Sequence, residues 1–244
     1  MKCLKNHPFA VEAFFENSLV LTFATPKEHL QPLIPKCLQL DTFKDKWAFI
    51  AIAMVQTKGL RPKGLPTFLG NNFFLIGYRI FVRYTNSKGK NLRGLYILKS
   101  ETDKKKMAFF GNLFTHYNYT TTDIHRTENQ KVLTISSLKS NFSVKVKQGN
   151  NNISIPEDSP FTNWKEARKF AGPLPHTFTV NEKDKTILTI LGRRQFWKPQ
   201  PVAISHFQFE FLDRLNLPNI VLANAFEIKN IPYSWDKGNV EKWN

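Results

Sequence analysis

The chain has 244 residues, 41% of them hydrophobic, 22% charged and 22 of them phenylalanine, with a formal net charge of +16. That balance excludes a disordered or low-complexity chain and supplies a sizeable aromatic core. No window approaches the roughly 18 consecutive apolar residues of a membrane-spanning helix, and two cysteines, Cys3 and Cys37, are too few for a disulfide framework or a zinc site of their own.

The first twenty residues carry lysines but no continuous apolar stretch, because Asn6, Pro8, Glu12, Glu16 and Asn17 interrupt it. A secretory signal is therefore not expected, and a cytoplasmic location is the default. SLVLTF (18–23) reads as a strand. Thr25-Pro26-Lys27-Glu28 has the form of a capping box with proline at the first helical position, opening a short helix that stops near Pro35. KWAFIAIAMVQT (46–57) is a buried strand by its length and branched composition, and the glycines and prolines of 58–72 predict a loop.

Through GYRIFVRY, alternation puts Tyr78, Ile80, Val82 and Tyr84 on one face and Arg79, Phe81 and Arg83 on the other. NSKGK turns the chain, and RGLYILKS (93–100) returns as the hairpin partner. Thr102 or Asp103 can cap a helix reaching about Leu113. YNYTTTDIHRT and KVLTISS follow as paired strands, and NFSVKVKQG alternates with Phe142, Val144 and Val146 on one face. Gly149 to Asn152 turns the chain into ISI, SPFTNWKEARKFA (159–171) is a helix ended by Gly172-Pro173, and HTFTV, TILTILG, AISHFQFEF and VLANAFEI are further strands. Roughly ten strands and about three short helices describe a β-rich α+β chain, 1–244 as a single domain, built on one curved or closed antiparallel sheet.

Arg79 is a charge within an otherwise apolar and aromatic strand. Projecting inward it needs an anionic partner, either a protein carboxylate or a bound one, and Arg93 opens the partner strand beside it. His116 stands in THYNY among Thr115, Tyr117, Asn118 and Tyr119, a group able to orient a ligand or position a proton, or to fill a core. Lys99, after the apolar run LYIL, either enters the interior with a depressed pKa suited to a Schiff base or ends the strand in solvent. His125, His176 and His206 are isolated, so no metal is expected, and no sequence motif for a nucleotide, a dinucleotide or a serine hydrolase is present.

FFENSLVLTFATPKEHLQPLIPKCLQLD resembles the opening of acetoacetate decarboxylase and of an uncharacterised bacterial family distantly related to it. EARKFAGPLPHTF, GRRQFWKPQPV and LANAFEIKNIPYSW are similar to that family too, and GYRIFVRY, RGLYILKSETDKKKM and GNLFTHYNY look like one branch of it. The resemblance spans nearly the whole chain. It implies a cone-like antiparallel β-barrel with an internal cavity. Acetoacetate decarboxylase works through a Schiff base on a lysine activated by its lysine neighbour. Against that stretch Asn118 and Tyr119 fall at the lysine positions, Asn112 at the acid and Glu16 near the arginine, so ordinary acetoacetate decarboxylation is not expected.

The leading expectation is a protein binding a small organic acid or similar metabolite in the cavity, without a cofactor. Arg79, Arg93, Asn112, Thr115, Asn118 and Tyr119 would bind it, with His116 and Lys99 as candidate catalytic groups. A lyase using Lys99 or His116 and a non-enzymatic interaction protein with a basic surface are the alternatives. Nucleic acid is a disfavoured partner, because Lys104 to Lys106 is the one compact basic run and no recognition motif accompanies it. A homodimer is compatible with exposed sheet edges.

Overall fold

The computed structural model describes residues 4–147, 153–195 and 197–243; Cys3 and the turn expected over 149–152 lie outside them. In chain order come β1 (Val11–Pro26), α1 (Lys27–Leu30) with a 3-10 turn over Gln31–Leu33, β2 (Gln39–Leu40), β3 (Trp47–Pro62), β4 (Asn71–Thr85) and β5 (Asn91–Thr102). Then follow α2 (Lys105–Phe114), β6 (Tyr119–Thr121), β7 (His125–Asn129), β8 (Val132–Ser137), β9 (Phe142–Lys147) and α3 (Trp164–Ala171). The chain ends with β10 (His176–Asn181), β11 (Thr186–Arg194), β12 (Gln200–Pro201), β13 (Ala203–Phe209), α4 (Glu210–Arg214), β14 (Val221–Trp235) and β15 (Asn239–Lys242).

The main sheet runs β14-β1-β3-β4-β5-β10-β11, and β11 pairs back onto β14, so its path closes as a ring. Neighbours are antiparallel except β5 and β10. The two seams of the ring are short: β5–β10 and β11–β14 share three residue pairs each. A second sheet, ordered β13-β9-β8-β7, covers part of the outside.

Two-residue periodicity separates the faces. Leu19, Leu21 and Phe23 of β1, Ile50, Ile52 and Met54 of β3, and Phe74, Ile76 and Tyr78 of β4 point outward. They form one core with Leu133, Ile135, Phe142, Val144, Val146 and Phe209 of the second sheet. The alternate set, including Val20, Ala51, Ala53, Val55 and Phe81, faces the interior of the ring. At the ring's edge, Phe49, Phe161 and Phe170 pack together, with Phe49 and Phe161 stacked at 5.4 Å.

Several local expectations are corrected. Thr25 still belongs to β1, paired with Ala48, and its hydroxyl donates to the Pro218 carbonyl at 2.9 Å instead of capping α1. Residues 58–62 continue β3 because they pair with the start of β1; register shifts and Gly59 at φ +61 absorb the bend. Residues 67–69 form a 3-10 turn. Neither Thr102 nor Asp103 caps α2: Thr102 ends β5, and Asp103 accepts from the Phe74 N–H at 2.7 Å. ISI (153–155) forms no strand, and α3 begins at Trp164, where Asn163 accepts from the Glu166 N–H at 2.9 Å. AISHFQFEF leaves its strand at Glu210, the start of α4.

Asp41 is fully buried and accepts from the Nε of both Arg83 and Arg93 at 2.6 Å. It fastens adjacent strands, since Arg83 and Arg93 face each other across β4 and β5. Asp41→Asn removes the charge that both cations share and is expected to cost about 2–3 kcal/mol. Urea unfolding measures this; a loss under about 0.5 kcal/mol would contradict the role.

Candidate functional site

The ring encloses a cavity of about 600 Å³. Its floor follows from the register. Val20 lies opposite Ala53, Ala53 opposite Gly77, Gly77 opposite Ser100 and Ser100 beside Tyr119, a row of mostly small side chains crossing five strands. In the next row Ala51 lies opposite Arg79. Small residues on the inner face leave the interior unfilled while larger ones on the outer face complete the core.

Arg79 is the charge inside this space. Protein encloses its guanidinium, and such surface as the residue retains faces the cavity. Its Nε is buried and makes no hydrogen bond, and no carboxylate forms an ion pair with it among the described residues. Burial pushes its pKa down, while the phenols of Tyr119, Tyr233 and Tyr117 act in the opposite sense. Those phenols are the ionisable groups that bear on it among the described residues. Burial raises the Tyr119 pKa to about 12, and the Tyr117 pKa rises for the same reason while its hydroxyl bonds the side chain of Thr177.

Three glycines make room for these groups. A Cβ on Gly77 would come within 2.8 Å of Arg79 Nε, so the arginine folds back across the glycine two residues earlier on β4. A Cβ on Gly111 of α2 would meet the Tyr119 ring at 2.4 Å, and one on Gly192 of β11 would meet the Tyr233 hydroxyl at 2.1 Å. Gly111 costs a helix about 1 kcal/mol relative to alanine, so its place in α2 reflects the close approach of the ring.

The lining described contains four cations (Arg61, Arg79, Lys106 and Arg194) and no aspartate or glutamate. Arg61 is paired with Glu12 at 2.7 Å, Arg194 donates to the Pro173 carbonyl at 2.6 Å and lies over Trp197, and Lys106 is exposed at the edge. Arg79 alone is enclosed without an acceptor among the described residues. The remaining lining is largely apolar, with Phe15, Phe73, Phe81, Phe226 and Trp235 among it. Such a space suits an anion with an apolar body. Among the described residues no cluster of three or more His, Cys, Asp or Glu side chains is arranged to hold a metal.

Of the residues singled out from sequence, Arg79, Thr115 and Tyr119 line the cavity. Thr115 directs its hydroxyl to the Gly111 carbonyl at 2.7 Å. Asn112 clamps the backbone of Tyr119, accepting from its N–H at 2.7 Å and donating to its carbonyl at 2.9 Å. Asn118 is exposed at φ +49, where its conformation turns the chain from α2 into β6. His116 lies off the cavity, half-buried, its Nε2 3.1 Å from Asn6 Oδ1; burial and nearby Lys5 both lower its pKa. Arg93 is held by Asp41 and donates to the Phe170 carbonyl at 2.9 Å, so the clamp expected with Arg79 does not assemble. Glu16 pairs with Lys58 at a bulge of β1.

Lys99 is redirected by a bulge. Tyr78 pairs with Lys99 and Arg79 with Ile97, leaving Leu98 extra, so the face of β5 inverts between Ile97 and Lys99. Lys99 therefore points outward with Tyr78, lies over the Tyr78 and Phe211 rings and pairs with Glu101 at 3.1 Å.

Sequence reasoning missed His7, Thr177 and Tyr233 as lining residues and left Tyr117 as a bystander. Thr177 on β10 and Tyr233 on β14 are distant in sequence from each other and from His7 and Tyr117, and the closed ring brings them to one cavity. The signal present in the sequence was the glycines at 77, 111 and 192, interior to elements where glycine is otherwise disfavoured.

The chain covers 98% of its own length and 90% of an acetoacetate decarboxylase from Legionella pneumophila subsp. pneumophila str. Philadelphia 1, with a TM-score of 0.59 and 11% identity. It is similar to an acetoacetate decarboxylase-like enzyme from Sphingomonas wittichii RW1 (TM-score 0.57, 10% identity, 97% of this chain and 93% of that one). A third likeness is the enduracididine biosynthesis enzyme MppR (TM-score 0.52, 7% identity, 96% and 89%). These likenesses establish an acetoacetate decarboxylase-like fold. No functionally curated protein matches the chain in sequence. The sequence profile of DUF2071, described as an uncharacterized conserved protein, matches residues 12–231, and the chain belongs to that family.

Proposed function

We propose that the cavity binds a small organic acid whose carboxylate pairs with Arg79 and accepts hydrogen bonds from nearby phenols. The observation that carries this reading is the enclosed guanidinium with a free Nε and no acidic group in the described lining. An anion entering the site loses water but gains a charge partner in a low-dielectric space, which makes such pairs strong when hydrogen-bonded. The fold neighbours support the ligand class: two are named for acetoacetate decarboxylation, and MppR is complexed with the condensation product of pyruvate and imidazole 4-carboxaldehyde.

The reading does not include Schiff-base chemistry. The cavity's lysine, Lys106, stands exposed at its edge, and Lys99 lies on the other face of the sheet in an ion pair. The lyase alternative built on Lys99 or His116 draws no support from where those side chains lie. Incubation with pyruvate or acetoacetate followed by borohydride is expected to leave the protein mass unchanged; a trapped adduct on any lysine would overturn this part.

Arg79→Met separates binding from stability. Calorimetric titration with a panel of carboxylates should show at least about a hundredfold loss of affinity, or about 2.7 kcal/mol. The same substitution is expected to raise stability by about 1–2 kcal/mol in urea unfolding, because an uncompensated buried cation is replaced by an apolar chain of similar length. Unchanged affinity, or clear destabilisation, would assign Arg79 a purely structural role.

A further inference from the structure

Among the described residues, five of the ten exposed large apolar side chains lie on two segments that border the cavity. The segment joining β3 to β4 carries Phe68, 81% exposed, with Leu65 and Leu69 also open to solvent. α2 carries Phe109, 66% exposed, and Phe110, whose rings lie 5.3 Å apart. Leu69 and Phe110 both line the cavity, and so does Lys106, so the loop and the helix border the same opening. Phe68 and Phe109 are their immediate neighbours in the chain and are far more exposed.

The charges on the same two segments are predominantly of one sign. Lys63, Lys104, Lys105 and Lys106 are exposed. The nearby acids are engaged: Asp103 pairs with Lys104 at 3.2 Å and Glu12 with Arg61. Projecting aromatic and aliphatic side chains interleaved with lysines match an anionic lipid surface, where the rings enter the headgroup region and the lysines meet phosphates. A second copy meeting this rim about a two-fold axis would bring the same lysines together.

We propose that this rim seats on an anionic bilayer and that the cavity takes from it a carboxylate with a long apolar tail, a free fatty acid in chemical class. The ligand half rests on the reading of Arg79 given above and narrows its class. The dimensions suit it: Asn71 at the rim and Gly77, over which the guanidinium lies, are six residues apart along β4, roughly 20 Å at strand rise. Between them the cavity presents Phe73, Leu75 and Val55. A carboxylate on Arg79 thus leaves its tail running along apolar wall toward the opening, and an acid lying at the bilayer surface enters head first.

Flotation of the full chain with phosphatidylcholine vesicles, with and without phosphatidylglycerol, tests the docking. Partition is expected onto the anionic vesicles only and to weaken with salt. Phe68→Ser/Phe109→Ser and Lys104→Glu/Lys105→Glu should each lower it by at least about tenfold, with unfolding midpoints close to the parent because all four side chains are exposed. No partition, equal partition onto neutral vesicles, or parental partition by both variants would overturn the docking. So would a dimer that Phe68→Ser/Phe109→Ser dissolves, which would assign the rim to a second copy.

Fluorescence of cis-parinaric acid tests the ligand class separately. The parent should bind it and Arg79→Met should not, while Arg79→Met still partitions onto anionic vesicles. Vesicle binding without parinarate binding would overturn the fatty-acid class. If pyruvate or acetoacetate binds nonetheless, the carboxylate reading of Arg79 survives; if no acid binds, that reading falls as well.

Discussion

An enclosed guanidinium that meets no carboxylate among the described residues is the constraint around which this molecule is arranged. Arginine stays protonated under ordinary conditions, so burial does not remove the charge. The phenols of Tyr117, Tyr119 and Tyr233 bear on Arg79, and burial raises the pKa of Tyr117 and Tyr119. Each partner is given space by subtraction. Gly77 lets the arginine lie flat along its own strand, Gly111 lets α2 approach the Tyr119 ring, and Gly192 admits the Tyr233 hydroxyl. A methyl group at any of these positions would move a polar group of the site.

The same strands do two jobs, and alternation keeps them apart. Their outer residues make a dry core with the second sheet, and their inner residues leave a space. The bulge at Leu98 shows how sharply this division is held, since one extra residue sends Lys99 to the outer face and Ser100 to the inner one. The ring is closed at its two shortest pairings, and both seams carry site residues. Thr177, which bonds Tyr117, pairs with Leu95 across one, and Tyr233 pairs with Arg194 across the other. Local opening of a three-residue seam would therefore be felt at the cavity.

Much of this architecture was legible. The alternation of GYRIFVRY placed Tyr78 and Arg79 on opposite faces, and the residues quoted for resemblance to acetoacetate decarboxylase led to the fold the solved neighbours share. The inward charge of Arg79 could be read because an arginine inside an apolar strand requires an explanation. What could not be read were events that need the third dimension. Asp41 is distant from Arg83 and Arg93 in sequence, so nothing local announced that it would hold Arg93 away from the cavity. The bulge before Lys99 breaks the two-residue period, so the apolar run LYIL left both an inward and a solvent-facing lysine open. Asn112 had the polarity of a ligand-binding group and instead spends both ends of its amide on the Tyr119 backbone.

The central claim is that Arg79 awaits an anion supplied from outside the chain. A crystal structure with a bromine-terminated long-chain carboxylate tests it most directly, because the bromine's anomalous signal locates the tail independently of the head. The account predicts the carboxylate on the Arg79 guanidinium and the bromine beside Leu69 and Phe110. A ligand bound elsewhere, or an Arg79 already paired with a protein carboxylate, would contradict it.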